Sequence, residues 1–452
     1  MSTLLIDAPV APSVAALPQR IGKYPVLCRL GEGATSEVFL CRDDFNGRDV
    51  AVKRVRASAL GDVQDGRFTE RFFAAEAALV DRLKHPNVVQ IFDAVADPAA
   101  PYIVMEHVDG TTLRPFCRAD RLQPLETIVE IGFKCAMALG YVQRQGLVHR
   151  DVKPANILAV VKNGAIADVK VSDFGSVLNL RSDATQVHRV GSLGYMSPEQ
   201  LDGDTLDGRA DIYSLGAVLY HLVCGRPPFD AQEHAALVSQ IYGARPAAPS
   251  TLRAGVGAAL DTVILRALAK RPDDRPSTWE EFAQALSALI ANREVPRGHL
   301  QDVLDSERFT LLRGLDFFSG FGDVDLWEVV HRASWQRYPV GHALYQPGDE
   351  GRTFHIVAQG AVEVFRDGQC VAQLAAGTSV GEMAYLAPSP ELRKHSAKIL
   401  VTQPCTTVSF TPESLSKLGT ACRLRFDSAF IAVLVRRLHA AHETIAHPRR
   451  IL

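Results

Sequence analysis

An eight-residue run, His149-Arg150-Asp151-Val152-Lys153-Pro154-Ala155-Asn156, sets four ionisable side chains and a proline inside an otherwise mainly helical stretch. It reads as a polar loop, and Asp173-Phe174-Gly175 follows about twenty residues later. Upstream the pattern differs. From Tyr24 apolar residues alternate as in strands, through Val38-Phe39-Leu40 and Val50-Ala51-Val52. Helical spacing follows at 68–83, with Phe72, Leu79 and Leu83 on one side, and strands return at 88–93 and 102–106. After Thr111 the spacing is mainly helical, apart from the polar loop and an irregular stretch at 176–199. A small sheet-rich lobe is therefore followed by a larger helical one.

With 452 residues the chain is long enough for two or three domains, each with its own core. Helical spacing resumes at Trp279, Phe282, Leu286, Leu289 and Ile290, before a polar, breaker-rich segment, 292–298. Beyond Phe309 come helical signals around Phe317, Phe318, Leu326 and Val329, then short strands between about 338 and 410. A long amphipathic helix from Leu424 to Ile445 closes the pattern, with Phe426, Phe430, Val433, Leu434 and Leu438 as its apolar positions. It is expected to pack on the strands or to pair two chains as a homodimer. The expected division is a tail at 1–20, a first domain at 21–290, a linker at 291–308, a second domain at 309–445 and a tail at 446–452.

A formal charge of −2 gives no electrostatic reason to expect nucleic acid or an anionic membrane as a partner. The best apolar run, Leu215 to Val223, is too short to span a bilayer and contains Tyr220 and His221. Residues 1–20 lack the basic start and apolar block of a secretory signal. Eight cysteines without a CxxC pair read as reduced thiols of a cytoplasmic protein.

In-line transfer of a phosphoryl group needs a carboxylate to orient the attacking hydroxyl, and oxygen ligands to hold magnesium against nucleotide phosphates. Asp151 supplies the first, and Asn156 with Asp173 the second. Upstream, Gly31-Glu32-Gly33-Ala34-Thr35-Ser36-Glu37-Val38 lies between two strand signals, Val50-Ala51-Val52-Lys53 follows, and Glu76 sits inside the next helix. In this order the motifs resemble the protein kinases of the bacterial Ser/Thr type over about residues 24–290. The resemblance implies ATP with Mg2+ or Mn2+ as cofactors and a protein Ser or Thr as acceptor. It implies that Lys53 contacts the α and β phosphates and pairs with Glu76, while Gly31 and Gly33 cover the phosphates. Asp151 becomes the base, Lys153 steadies the transferring phosphate, and Asn156 and Asp173 bind the metal. Val38, Ala51, Met105 and Leu158 would wall the adenine, with the Glu106 carbonyl and the Val108 backbone as hinge groups. Glu199 and Arg275 would form a buried ion pair. Ser182 and Thr185 are candidates for autophosphorylation, with Arg150 as partner for the phosphate.

From Tyr338 to Leu386 the strand and glycine spacing resembles a cyclic-nucleotide-binding domain, a β-roll with flanking helices over roughly 309–445. The whole chain is then α+β, a bilobal kinase fold followed by that roll, and the second resemblance implies regulation through cAMP or cGMP. Gly381, Glu382, Met383 and Ala384 match the short helix that meets the cyclic phosphate, with Glu382 toward the ribose. The match breaks at the phosphate arginine. Alignment of Ser396-Ala397 with the following strand puts His395 there, with Arg393 two positions earlier. The chain carries only His447 to Leu452 after the helix, so a DNA-reading helix-turn-helix is not expected.

Overall fold

The computed structural model describes residues 17–33, 36–56, 73–97, 100–162, 164–176, 178–179, 193–296 and 304–446. Ser182 and Thr185 lie outside them. The chain divides into two compact units. The first holds 1–122, 138–246 and 267–275, and the second 123–137, 247–266 and 276–452.

In the first unit, six strands form one sheet: β1 (Arg20–Ile21), β2 (Tyr24–Glu32), β3 (Ser36–Asp43), β4 (Arg48–Val55), β5 (Ile91–Val95) and β6 (Tyr102–Glu106). Their order is β1-β2-β3-β4-β6-β5, and every pairing is antiparallel. Strand parity sorts the side chains. Phe39, Cys41, Val50, Val52, Tyr102 and Val104 join Ile21 and Tyr24 in one buried cluster. The alternate residues fall on the other face, where Val38 stands opposite Lys53 and Ala51 opposite Met105. The alternation that builds the core of this sheet thereby delivers one lysine and three apolar side chains to its second face.

The polar loop follows β8 (Leu147–Val148), after β7 (Thr111–Thr112). It leads into the hairpin of β9 (Ile157–Lys162) and β10 (Ala165–Val171), and β11 (Leu178–Asn179) pairs back onto β8. Helix α1 (Leu125–Arg144) precedes the loop, giving its first part to the second unit and the rest to the first. Helix α2 (Gly208–Cys224) is buried along most of its length. It starts at Asp207, whose carboxylate accepts the Arg209 N–H, and stops at Gly225, whose φ of 70° suits only glycine well.

In the second unit lie helices α3 (Trp279–Ala291), α4 (Asp305–Arg313) and α5 (Asp323–Arg332). Six strands follow: β12 (Ser334–Tyr338), β13 (Ala343–Tyr345), β14 (Phe354–Arg366), β15 (Gln369–Ala375), β16 (Ser379–Val380) and β17 (Lys398–Phe410). The sheet runs β12-β17-β14-β15, with β13 on β17 and β16 on β14. Helix α6 (Glu382–Tyr385) is a single turn after β16, and α7 (Thr420–Ala446) closes the described chain. Phe317, Phe318, Phe354, Phe410, Phe426 and Phe430 are all buried. Their rings meet edge to face or tilted, with Phe354 and Phe410 stacked.

Helix α7 corrects one expectation. Phe426, Phe430 and Val433 are buried as the pattern requires, but Leu434 and Leu438 are 38% and 57% exposed. At 100° per residue Leu438 lies well off the Phe426 line, and the position that completes the inward stripe is Arg437. An apolar count alone missed it because the inward residue is charged.

Candidate active site

Lys53 projects from β4, and its Nζ donates to Glu76 Oε2 at 2.9 Å, to Glu76 Oε1 at 3.1 Å and to Asp173 Oδ1 at 2.8 Å. Glu76 lies in the helical residues 73–77 and is buried. Burial alone would favour a neutral lysine, yet Glu76 and Asp173 outweigh it and hold the Lys53 ammonium above its usual range. The nearby lysine draws the Asp173 carboxyl down to about 2. At neutral pH the sheet therefore presents a charged lysine held between two carboxylates.

Asp151 Oδ2 accepts Lys153 Nζ at 2.7 Å and Asn156 Nδ2 at 2.9 Å. Among the described residues neither bond uses Oδ1. Asn156 Nδ2 also donates to the Asp151 carbonyl at 2.9 Å, which leaves the amide oxygen as the free end of that side chain. The loop is pinned from below. Asp211 of α2 accepts the His149 N–H at 2.7 Å and the Arg150 N–H at 2.8 Å, and Gln200 Nε2 donates to the Arg150 carbonyl at 2.9 Å. Burial raises the Asp211 pKa against the pull of His149. His149 Nδ1 accepts the Asp151 N–H at 3.3 Å while Nε2 meets the Ser172 carbonyl at 3.1 Å, which assigns the ring proton to Nε2.

Two residues here have left-handed backbone without being glycine, Arg150 at φ 65° and Asp173 at φ 64°. Such positions cost about 1–3 kcal/mol each and persist where surrounding bonds over-determine them. Asp211 and Gln200 supply those bonds for Arg150.

Val38 and Met105 are half-buried on the Lys53 face with buried Ala51, and Leu158 stands on β9 opposite Thr112. Glu106 ends β6, with Val108 half-buried two residues on, and its carboxylate accepts Lys170 Nζ at 3.0 Å. A Cβ on Gly31 would meet no atom within 4 Å, and one on Gly33 only Ser36 at ordinary contact distance. Neither glycine has positive φ. Nothing in the packing or the backbone demands them.

In the β-roll some of the expected ligand residues already have partners. Glu382 is 1% exposed, and its Oε1 accepts Arg437 Nη1 of α7, while Arg437 Nη2 donates to the Ser379 carbonyl at 2.7 Å. The arginine had no place in the sequence pattern. His395 is buried and stacked on Tyr345 with ring centroids 3.7 Å apart, and burial lowers its pKa, so the ring is neutral at pH 7. Arg393 is exposed and donates Nε to the Ala387 carbonyl at 3.1 Å. Met383 is 68% exposed, Ala384 is buried beneath Gly351, and Ser396 is exposed. Gly381, at φ 84°, is obligatory, because a Cβ would come within 2.6 Å of the Tyr345 hydroxyl. This set lacks the guanidinium expected for a cyclic phosphate, offering a neutral imidazole under a tyrosine in its place. Only Oε1 of the Glu382 carboxylate is bonded, and Glu382 Oε2 and His395 Nε2 are buried without a partner among the described residues.

A lysine on a strand, bonded both to a glutamate on a helix and to an aspartate beyond the polar loop, is the arrangement that the kinase resemblance implies. Comparison with known sequences gives the particular family. The protein kinase domain family matches residues 24–287 and the cyclic nucleotide-binding domain family residues 335–420. The chain belongs to the protein kinase family.

The Serine/threonine-protein kinase PknB of Mycobacterium leprae is 40% identical over 305 residues, 65% of this chain and 47% of its own length. PknB of Mycolicibacterium smegmatis is 40% identical over 292 residues, covering 63% and 45%. Serine/threonine-protein kinase Pkn1 of Myxococcus xanthus is 38% identical over 277 residues, covering 60% and 39%. The chain spans about half or less of the length of these relatives. No described helix is long and apolar enough to cross a membrane.

Proposed function

We propose that this chain transfers the γ-phosphoryl group of ATP to Ser or Thr hydroxyls of proteins. The observation that carries the reading is the pair of charge networks, Lys53 with Glu76 and Asp173, and Asp151 with Lys153 and Asn156. The Lys53 ammonium is set to meet phosphate oxygens, and Glu76 fixes its direction. Gly31 and Gly33, free of any packing need, let backbone amides close over the same phosphates. Val38, Ala51, Met105 and Leu158 wall the base, with Glu106 and Val108 at the hinge.

Asp151 orients the acceptor hydroxyl and takes its proton on Oδ1. Lys153 moves from the Asp151 carboxylate toward the phosphoryl oxygens. The Asn156 amide oxygen and the Asp173 carboxylate are hard donors that suit magnesium, which when bound offsets phosphate charge. Transfer of radiolabel from γ-labelled ATP to a general protein acceptor, followed by phosphoamino-acid analysis, tests the reading. Phosphoserine and phosphothreonine are expected, and no transfer with either Mg2+ or Mn2+ ends it.

For the β-roll, the Arg437 bond to Glu382 and the buried His395 support a regulatory domain that takes no cyclic nucleotide. Calorimetry of the full chain with cAMP and cGMP is expected to give no binding heat with either. A micromolar Kd that is lost in Glu382→Ala would overturn this.

A further inference from the structure

Helix α1 carries Glu130, Phe133, Lys134 and Met137 at spacings of three, four and seven, so the four share one face. A stripe that mixes charge with apolar residues reads as half solvated. Instead Glu130 is 9% exposed, Phe133 2%, Lys134 3% and Met137 4%. Two fully enclosed charges on a helix need a partner.

That partner is the start of α4, within the same compact unit. Lys134 Nζ lies 2.9 Å from Asp305 Oδ2 and 4.0 Å from Glu130 Oε1. Glu130 Oε2 accepts the Ser306 hydroxyl at 2.5 Å, and Oε1 accepts the Ser306 N–H at 3.2 Å. A helix leaves its first N–H groups unsatisfied, and the residue preceding α4, Leu304, has no capping oxygen in its side chain. Glu130 does that work from another helix, placing a carboxylate at the positive end of α4. Around this polar centre Phe133 meets Phe309 and Trp327, each at 5.9 Å between centroids, and Trp327 is fully buried. Burial pushes the Glu130 pKa up, while Lys134 overcomes burial to hold Asp305 down.

The other end of α1, at Arg144, comes five residues before His149 in the chain. We propose that the Glu130, Lys134, Asp305 and Ser306 clamp is the link through which the C-terminal domain sets phosphoryl transfer. It fixes α1, and α1 fixes the entry to the 149–156 loop, with no small-molecule effector needed. The effect on transfer rests on the kinase reading above; the clamp itself does not.

The test uses the full chain with Ser306→Ala, Asp305→Leu, Lys134→Met and the double variant Lys134→Met with Asp305→Leu. Hydrogen exchange over 125–144 and 147–156 is measured beside kcat and KM for ATP. Each single variant is expected to speed exchange in both segments and to lower kcat about tenfold with KM nearly unchanged, a coupling of ordinary allosteric size. The double variant, which replaces the ion pair by apolar groups, is expected to recover most of both losses.

Wild-type exchange and kcat in the single variants would overturn the proposal. Faster exchange confined to 125–144, with the loop and kcat unmoved, would overturn it as well, leaving a merely structural contact. If Asp305→Leu does not fold, Ser306→Ala decides, since it deletes one hydroxyl and leaves Glu130 the Ser306 N–H and the neighbouring Lys134. Exchange is read without activity, so an inactive wild type would end the kinase reading and still leave the clamp open to this measurement.

Discussion

Asp151→Asn in the full chain is expected to lower kcat for phosphate transfer by about 10²–10⁴, equivalent to about 3–5 kcal/mol of barrier. The substitution keeps the size and shape of the side chain, so what it isolates is the capacity to hold a proton. In the native site Lys153 and Asn156 both donate to Oδ2. An asparagine still offers one oxygen to these donors, and the loop keeps its backbone bonds to Asp211. KM for ATP is expected to stay within about threefold, because Lys53, Glu76 and Asp173 form a separate network. Intact transfer in Asp151→Asn would mean that another group takes the proton. A scaffold that only docks nucleotide and partners predicts a different pattern, with no transfer in the wild type and equal partner capture in both proteins.

The kinase half was legible because its signals are local and ordered. Strand alternation within β3, β4 and β6 puts Val38, Ala51, Lys53 and Met105 on one face, and the 149–156 run names its own chemistry. The Glu199 and Arg275 pair was legible too, through the register of the same motifs. Other features were hidden because they depend on partners far along the chain. Arg437 joins Glu382 across fifty-five positions, and Ser306 joins Glu130 across one hundred and seventy-six. In each case a charged residue occupies a buried place, and a pattern that equates charge with solvent assigns it to the wrong side. His395 was the exception. Its position signalled a departure, although the Tyr345 ring stacked on it left no trace in the local sequence.

Arg275→Met is expected to cost about 3–5 kcal/mol of stability, the usual penalty for stripping one partner from a buried pair. The Arg275 side chain is fully buried, and its fork donates to Glu199 Oε1 at 2.6 Å and Oε2 at 2.8 Å. It also donates to the carbonyls of Ala269, Lys270 and Arg209, at 2.8, 2.9 and 2.9 Å, so one guanidinium satisfies five acceptors. Its plane lies over Tyr213, with 4.9 Å from Cζ to the ring centroid. A lysine has the charge but not the fork, so Arg275→Lys should fall between wild type and methionine.

The double variant Arg275→Met with Glu199→Leu removes the stranded carboxylate and should recover part of the loss. Recovery stays incomplete, because the carbonyls of Ala269 and Lys270 lose their donor, at about 1–3 kcal/mol for a buried unsatisfied group. The chain is not a single two-state unit, so the measurement is exchange at amides of α2, converted to local opening free energies. A change under about 0.5 kcal/mol in Arg275→Met would mean that solvent reaches Glu199 on substitution, and that the pair orders this region without stabilising it.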